Sequence, residues 1–470
     1  MMDVIPVTPE NLVKPIPNIR TRTYFVVYAP LDEQLLRSAL DRLIRDHWRK
    51  LGGRLVSRPG EGGVDYHVPL EFDQRYQLFE WSSGKQARTI GEAFPWVQNP
   101  APEKGVSILP SIRTLEEVCR PSSWPWHKKD ECPDAPLLYV HLTYFDNATV
   151  IATSLPHVAA DQGGLANIVK AWLGLIKGKT PPPMLGYDTD VLATEKPYAS
   201  YPKNEIVRKG RLRIIHPLAY LLVILGILGE LIFFRKELHR TLFVPISVVE
   251  SHRKRYSKAL EAKYGTSPGI STGDVLTAII LKLSRMHDKR PRTVLLSHAA
   301  TVRNRIPALS GEKAEAYIHN ALFYPTSRFP IDSSTPLSEI AYQSRQALKN
   351  CMSEEDIDRD LTVIREMARR GQMTHICEPF DRSYNISNWC SVWKDLDFSP
   401  AVKAAADGKD NVRPKMLVLG GSGELSMPVR FGSLILSRSE EGFWCEFAAP
   451  TTTFELIEEH LAKDPMLDDF

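Results

Sequence analysis

Apolar and polar positions along the chain change rhythm repeatedly, between the alternation of strands and the three-and-four spacing of helices. From residue 23, TYFVVYAP has strand character, and LDEQLLRSALDRLIRDHWRKLGG then carries apolar residues at helical spacing. Leu35, Leu36, Leu40, Leu43 and Ile44 fall on one face, and Gly52-Gly53 ends the helix. RLVSR and VDYHVPLEF resume as strands, and residues 98–135, rich in proline and charge, read as loop with short pieces. PLLYVHLTYFDNATVIATSLPH reads as a hairpin turning at Asp146-Asn147. After Gly163-Gly164, the positions Leu165, Ile168, Val169, Trp172, Leu173 and Ile176 mark a buried helix face. Residues 178–212 have the proline-rich, polar composition of a linker.

A second block begins near Thr241. STGDVLTAIILKLSRMH opens on a Ser/Thr cap and continues as an apolar helix. TVLLSHAATVRNRIPAL is a strand leading into a basic turn, and PLSEIAYQSRQALKN and IDRDLTVIREMARR are helices. KMLVLGGSGEL, FGSLILSRSEEGFWCEFAAP and TTTFELIEEHL finish the chain as strand, hairpin and capped helix. Strands and helices mix in both halves, and no internal repeat is visible.

One stretch breaks the pattern. IIHPLAYLLVILGILGELIFF, residues 214–234, is apolar nearly all round, and as a helix it would be about 31 Å long. Arg208, Lys209, Arg211 and Arg213 precede it; Arg235, Lys236, His239 and Arg240 follow. Three readings stay open: an anchor at a membrane surface, a helix packed on its own protein, or a true span, against which Glu230 argues.

Composition narrows the class. A chain of 470 residues exceeds one ordinary core, so two or three domains are expected. Lys and Arg total 59 against 56 Asp and Glu, a net charge of +3, and no basic run interleaves with aromatics, so nucleic acid is not an expected partner. Cys119, Cys132, Cys351, Cys377, Cys390 and Cys445 are scattered without a CxxC, which suits reduced thiols. The start, MMDVIPVTPENLV, lacks the basic and apolar regions of a signal peptide. A cytoplasmic location is expected, membrane-associated if the apolar stretch is an anchor, and the sequons at Asn147 and Asn385 are not expected to be used there.

The strongest chemical candidate is TSLPHVAADQGG, where an apolar hairpin ends on His157 and Asp161 follows four residues later. A second HxxxD, His460 and Asp464, lies in a charged C-terminal helix and reads as an exposed pair. Context separates the two. An imidazole at the end of a buried strand can serve as a general base near neutral pH, or can be a satisfied core histidine with Asp161 as helix cap. Arg303 and Arg305 form a second candidate, suited to a phosphate, a buried carboxylate or a solvated loop. VLGGSGE lacks the features of a P-loop and reads as a turn. There is no GxSxG, no cluster with metal-ligand spacing and no calcium loop in CMSEEDIDRD.

Taken in order, these pieces resemble the BAHD family of acyl-CoA-dependent acyltransferases, especially fungal members such as trichothecene O-acetyltransferases. The similarity runs over most of the chain. YFVVYAPLDEQLLRSALDRLIRDHWRKLGGRL is similar to the family's opening strand and helix, and PLLYVHLTYFDNATVIATSLPHVAADQGG to its strand pair entering HxxxD. VRNRIPAL…YIHNALF resembles its R-x-R-x-x-P-x-L…Y-x-x-N stretch, and NISNWCSVWKDLDFSPA the segment ending in DFGWG. Two departures stand out. Gln162 precedes the first glycine after Asp161, and DFGWG is reduced to DFSPA.

The resemblance implies an α/β (α+β) protein of two chloramphenicol-acetyltransferase-like domains with mixed sheets and a channel between them. The expected division is 1–180, carrying HxxxD, then a crossover linker 181–240 with the apolar segment, then 241–470, part of 385–412 packing with the first domain. It further implies transfer from acyl-CoA, a co-substrate rather than a tightly held cofactor, to a hydroxyl of a secondary metabolite such as a terpenoid or polyketide, by a monomer and without metal. His157 is the expected base, and Asp161 shapes its loop through an arginine pair. Ser387 and Trp389 match positions near the reaction centre, where a hydroxyl and an indole N–H face the developing oxyanion. Asp397 is expected to pair structurally with Arg303 or Arg305. The Ser271-Thr272 helix start, Arg303 and Arg305 are the expected CoA contacts. Alternatives are a CoA-independent cyclisation or elimination by the same histidine, and a non-catalytic small-molecule binder.

Overall fold

The computed structural model describes residues 1–58, 63–101, 105–288, 290–374, 378–403, 413–421 and 430–470. Two larger sheets organise it. The first runs, in spatial order, Met416–Gly421, Arg20–Val27, Thr149–Pro156, Tyr139–Tyr144 and Glu80–Lys85. Its last pair is parallel and the rest antiparallel. The strands Arg20–Val27 and Thr149–Pro156 are buried along their whole length, which is why their sequences lack clean alternation. Tyr139–Tyr144 and Thr149–Pro156 form the hairpin expected at Asp146-Asn147.

The second sheet runs Leu322–Phe323, Arg292–Thr301, Arg382–Asn388, Gly432–Arg438, Gly442–Pro450, Glu237–Pro245 and Ser107–Leu109, with Thr326–Ile331 added beside Arg292–Thr301. It is mixed: Arg382–Asn388 pairs in parallel with both its neighbours. A three-stranded sheet of Met2–Pro6, Val64–Pro69 and Arg54–Ser57 completes the set.

Sheet pairing crosses the expected division of the chain in both directions. Ser107–Leu109 joins the second sheet, and Met416–Gly421 the first. Trp389, Trp393, Leu396, Phe398 and Ala401 are buried in the core built on the first sheet. Phe25 meets Trp393 edge-on, with ring centroids 5.6 Å apart, and Phe398 at 5.7 Å. The rest of the expected 385–412 segment, from residue 404 on, lies outside the described residues, as do Cys377 and the Ser422-Gly423-Glu424 part of the VLGGSGE turn.

Three local expectations change. The first helix spans Glu33–Arg42 and then widens into a π-turn over Leu43–His47; Leu36, Leu40, Leu43 and Ile44 are buried, whereas Leu35 is 40% exposed. Leu35 stands about 100° around the helix from Leu36 and so leaves the buried face. A long helix, Ile246–Tyr264, was not evident in the pattern, because the charges of ESHRKRYSK hide the buried stripe Val248, His252, Tyr256 and Leu260. The apolar stretch forms a helix only over Pro217–Phe233, about 26 Å long. No helix among the described residues is long and apolar enough to cross a membrane. Within it Glu230 is buried in ion pairs with Arg382 (2.9 Å) and Arg285 (3.4 Å), which hold one side of the helix against its own protein.

Candidate active site

His157 stands where the fully buried strand Thr149–Pro156 ends. Its backbone N–H donates to the Ile19 carbonyl at 2.9 Å, and its carbonyl accepts from Asn320 Nδ2 at 2.7 Å. The main chain is thus held from both sides while the side chain lines a cavity of about 2090 Å³. Burial pushes the imidazole pKa down from its ordinary value, against the opposing pull of the Asp161 carboxylate. That direction favours the neutral imidazole, whose lone pair can accept a proton.

Asp161 caps the helix Gln162–Ile176, one oxygen accepting from Gly164 N–H at 2.7 Å. The other accepts from Ala321 N–H at 2.9 Å and from Arg303 Nη1 at 2.8 Å. Burial raises the Asp161 pKa, but Arg303 and the two N–H donors outweigh it and hold the carboxyl below its ordinary value. Arg303 continues the chain by donating to the carbonyls of His319 (2.6 Å) and Tyr317 (3.3 Å). The expected arginine partner of Asp161 is Arg303, and the pair clamps the His157 turn to the 317–321 segment.

The double glycine follows from this packing. A Cβ on Gly164 would lie 1.7 Å from the Ile318 carbonyl oxygen, and one on Gly163 would lie 2.7 Å from Arg303 Nη1. Gln162, the departure from the family pattern, accepts from Thr23 Oγ1 at 3.1 Å through Oε1 and leaves its buried Nε2 unpartnered at the cavity wall.

The remaining expected residues divide. Ser387, Trp389, Ser271, Thr272, Arg303 and Arg305 line the same cavity as His157 and Asp161. Trp389 Nε1, however, donates to Ser387 Oγ at 2.8 Å, so the indole N–H is already used and the Ser387 hydroxyl is the donor left for an oxyanion. Arg303 spends both terminal nitrogens on Asp161 and the Tyr317 and His319 carbonyls, which leaves only its buried Nε without a partner. Arg305 spends only Nε, on the Thr301 carbonyl at 2.8 Å, and is otherwise exposed at the cavity wall. Ser271 caps the helix Thr272–Ser284 with Asp274 in a reciprocal capping box, and Asp274 is also paired with Arg345. A carboxylate already sits at that helix start, which weakens it as a phosphate site. Asp397 pairs with neither Arg303 nor Arg305. It accepts from Lys177 Nζ at 2.8 Å, tying the loop after Trp393 to the end of the His157-proximal helix.

Sequence reasoning missed a polar group on the cavity wall. Arg22 and Glu116 pair at 2.6 Å, Tyr24 donates to Glu116 at 3.1 Å, and Arg22 Nη1 is left buried and unpartnered. Beside them Glu446 is pushed up to about 8, first by burial and then by the Glu116 charge, with Arg22 and Arg113 opposing. No motif marks these residues, since they come from separate strands and one short helix. A carboxyl whose folded pKa is raised contributes stability below its unfolded value of 4.5 that is lost as pH rises through about 8. The wild-type melting temperature should therefore fall between about pH 4.5 and about pH 8 and level off above, and Glu446→Gln, which cannot ionise, should fall less in thermal denaturation over that range.

Solved structures share this fold over nearly the full chain. F. graminearum TRI101 complexed with coenzyme A and T-2 mycotoxin superposes with a TM-score of 0.68 at 13% identity, covering 97% of each chain. Vinorine synthase gives 0.55 at 12% identity, covering 97% of this chain and 95% of its own. No protein-family model matches. Among curated proteins, the acetyltransferase adrJ of Penicillium rubens is 27% identical over 406 residues, 82% of this chain and 80% of its own. The O-acyltransferase ausP of Aspergillus calidoustus is 26% identical over 452 residues, 92% of this chain and 89% of its own. The chain is an acyltransferase, similar over most of its length to these fungal enzymes. In this acyltransferase the cavity draws its lining from both large sheets, and His157 is part of its wall.

Proposed function

We propose that the protein transfers an acyl group, acetyl in the simplest case, from acyl-CoA to a hydroxyl of a secondary-metabolite acceptor such as a terpenoid or polyketide. One observation carries the reading: the His157 imidazole stands in the wall of a cavity large enough for two substrates at once, with its loop clamped by a buried ion pair. Two acyltransferases of fungal origin by name, adrJ and ausP, and a neighbour solved with coenzyme A and a toxin support the choice of donor and acceptor class.

In this mechanism the acceptor O–H gives its proton to His157 as its oxygen attacks the thioester carbonyl carbon. The carbonyl π pair moves to oxygen, and the resulting oxyanion accepts a hydrogen bond from the Ser387 hydroxyl, itself oriented by the Trp389 N–H. Collapse re-forms the carbonyl and breaks the C–S bond, and the CoA thiolate takes the proton from the imidazolium. No covalent acyl-enzyme is required. Asp161 and Arg303 act on the loop, and Arg305 is the cation placed to meet a CoA phosphate. The reading takes the protein as a monomer, since one chain supplies every group it invokes, and places it in the cytoplasm, where acyl-CoA is made.

Titration of the purified protein with CoA and short acyl-CoAs in a thermal-shift assay tests the donor. A ligand at 100 times its dissociation constant adds about 2.7 kcal/mol of stability, so a saturable rise of several degrees is expected. No shift with any of them would exclude CoA as the donor and return the site to CoA-independent base chemistry.

A further inference from the structure

The helix Pro217–Phe233 presents three different faces. Val223 and Glu230 are buried, the carboxylate held by Arg285 and Arg382. Next to that stripe, Ile224, Ile227 and Leu231 line the same cavity as His157. Leu218, Leu221, Leu225 and Ile232, at three-and-four spacing, are roughly half exposed, at 61%, 52%, 52% and 49%, and Phe233 is 83% exposed. Phe380, 66% exposed and at a φ of 68°, stands beside Gly226 and extends the apolar surface. Such a stripe in water is costly unless something covers it.

The charges around the stripe identify the cover. Arg208 and Lys209 before the helix, and Arg235 and Lys236 after it, are exposed. From residue 206 to 236 the only acid is Glu230, which is buried in its pairs. A second copy packed face to face would run antiparallel about a two-fold axis or parallel, and either way would set cations against cations. A headgroup layer carrying negative charge satisfies both the apolar stripe and its basic ends. The helix is too short to span and is tied down at Glu230, so it lies in the plane of the interface.

We infer that this helix docks the enzyme on an anionic bilayer surface, and that the acceptor is a membrane-partitioning alcohol that passes along the helix into the cavity. The docking half stands on the helix alone; the acceptor half rests on the transferase reading. One helix wall meets lipid and the adjacent wall meets the reaction space, so a lipophilic alcohol can move from bilayer to His157 without crossing bulk water.

The test uses the full chain with phosphatidylcholine vesicles, with and without phosphatidylserine, in a flotation assay. The protein should float with the phosphatidylserine vesicles and be released by salt, which screens the basic ends. The double variant L221S/L225S, at positions that do not line the cavity, should lower vesicle partition at least ~10-fold while keeping the wild-type melting temperature and CoA shift. With acyl-CoA present, it should turn over a water-soluble short-chain alcohol as wild type does and a vesicle-held long-chain alcohol roughly tenfold more slowly. Wild-type protein that stays unbound with anionic vesicles overturns the docking. So does a concentration-dependent dimer that the double variant abolishes, which would assign the stripe to a second copy. Equal losses on the two alcohols would overturn the acceptor class with docking intact. Vesicle binding without any CoA shift would instead count against the transferase reading alone.

Discussion

His157→Ala lowers kcat/KM by at least ~100-fold, the ordinary contribution of a positioned general base, and leaves the CoA-induced thermal shift in place. The separation follows from geometry. The His157 main chain holds the turn, through Ile19 and Asn320, while the imidazole lines the cavity. Alanine keeps those main-chain bonds and deletes only the base. The pH profile adds a second reading of the same group. Because burial holds the imidazole pKa below 6.5, the neutral form persists through the neutral range. Wild-type kcat/KM should be level near pH 7 and decline only as pH falls through a value below 6.5, and that limb should vanish in the variant's residual activity. Full turnover by His157→Ala would remove this residue from the chemistry.

Asp161→Ala produces the largest loss of stability. It strips the Arg303 guanidinium of its carboxylate partner in a nearly dry site and leaves Gly164 and Ala321 N–H without their acceptor. Breaking a buried pair by removing one partner costs about 3–5 kcal/mol, a large part of the ~5–15 kcal/mol that holds an ordinary domain together. Arg303→Met should cost a similar amount, and the double variant should be less unstable than the sum of the two, since no orphaned charge remains. Denaturant titration of the three variants measures this directly. The sign with pH is also set: Asp161 has a lowered folded pKa, so its contribution is present above its unfolded value near 3.8 and disappears as pH falls through the folded one. An Asp161→Ala protein of wild-type stability with no turnover would mean that the carboxylate takes part in the reaction, contrary to its position as a helix cap and clamp.

Much of the site was legible because its parts are local. The hairpin ending at His157, the cap at Asp161 and the helix after Gly163-Gly164 lie within about twenty residues, where periodicity and capping rules operate. Asp161 and Arg303 are 142 residues apart, and nothing in the pattern chooses between Arg303 and Arg305 as the partner. Only packing decides: Arg303 is drawn inward between the Tyr317 and His319 carbonyls, while Arg305 bonds Thr301 and faces out. Asp397 shows the converse. Its family-based pairing with an arginine gives way to Lys177, because the chain after Trp393 packs on the first sheet beside the end of the Asp161 helix. Trp389 and Ser387 were both identified as donors, but the bond between them leaves only one free.

Alternation, spacing and caps by themselves determined that strands and helices intermix, that a histidine ends a buried strand, and that an apolar segment with basic ends lies between the halves. These depend on neighbours within a few turns of chain, and the sequence contains those neighbours in order. Tertiary structure alone decided which arginine neutralises Asp161, which strands exchange between the two sheets, why burial raises the Glu446 pKa, and which face of the 217–233 helix is buried, lines the cavity or is exposed. Each of those depends on charge and desolvation among groups that meet only after folding, at separations in sequence over which no local rule acts.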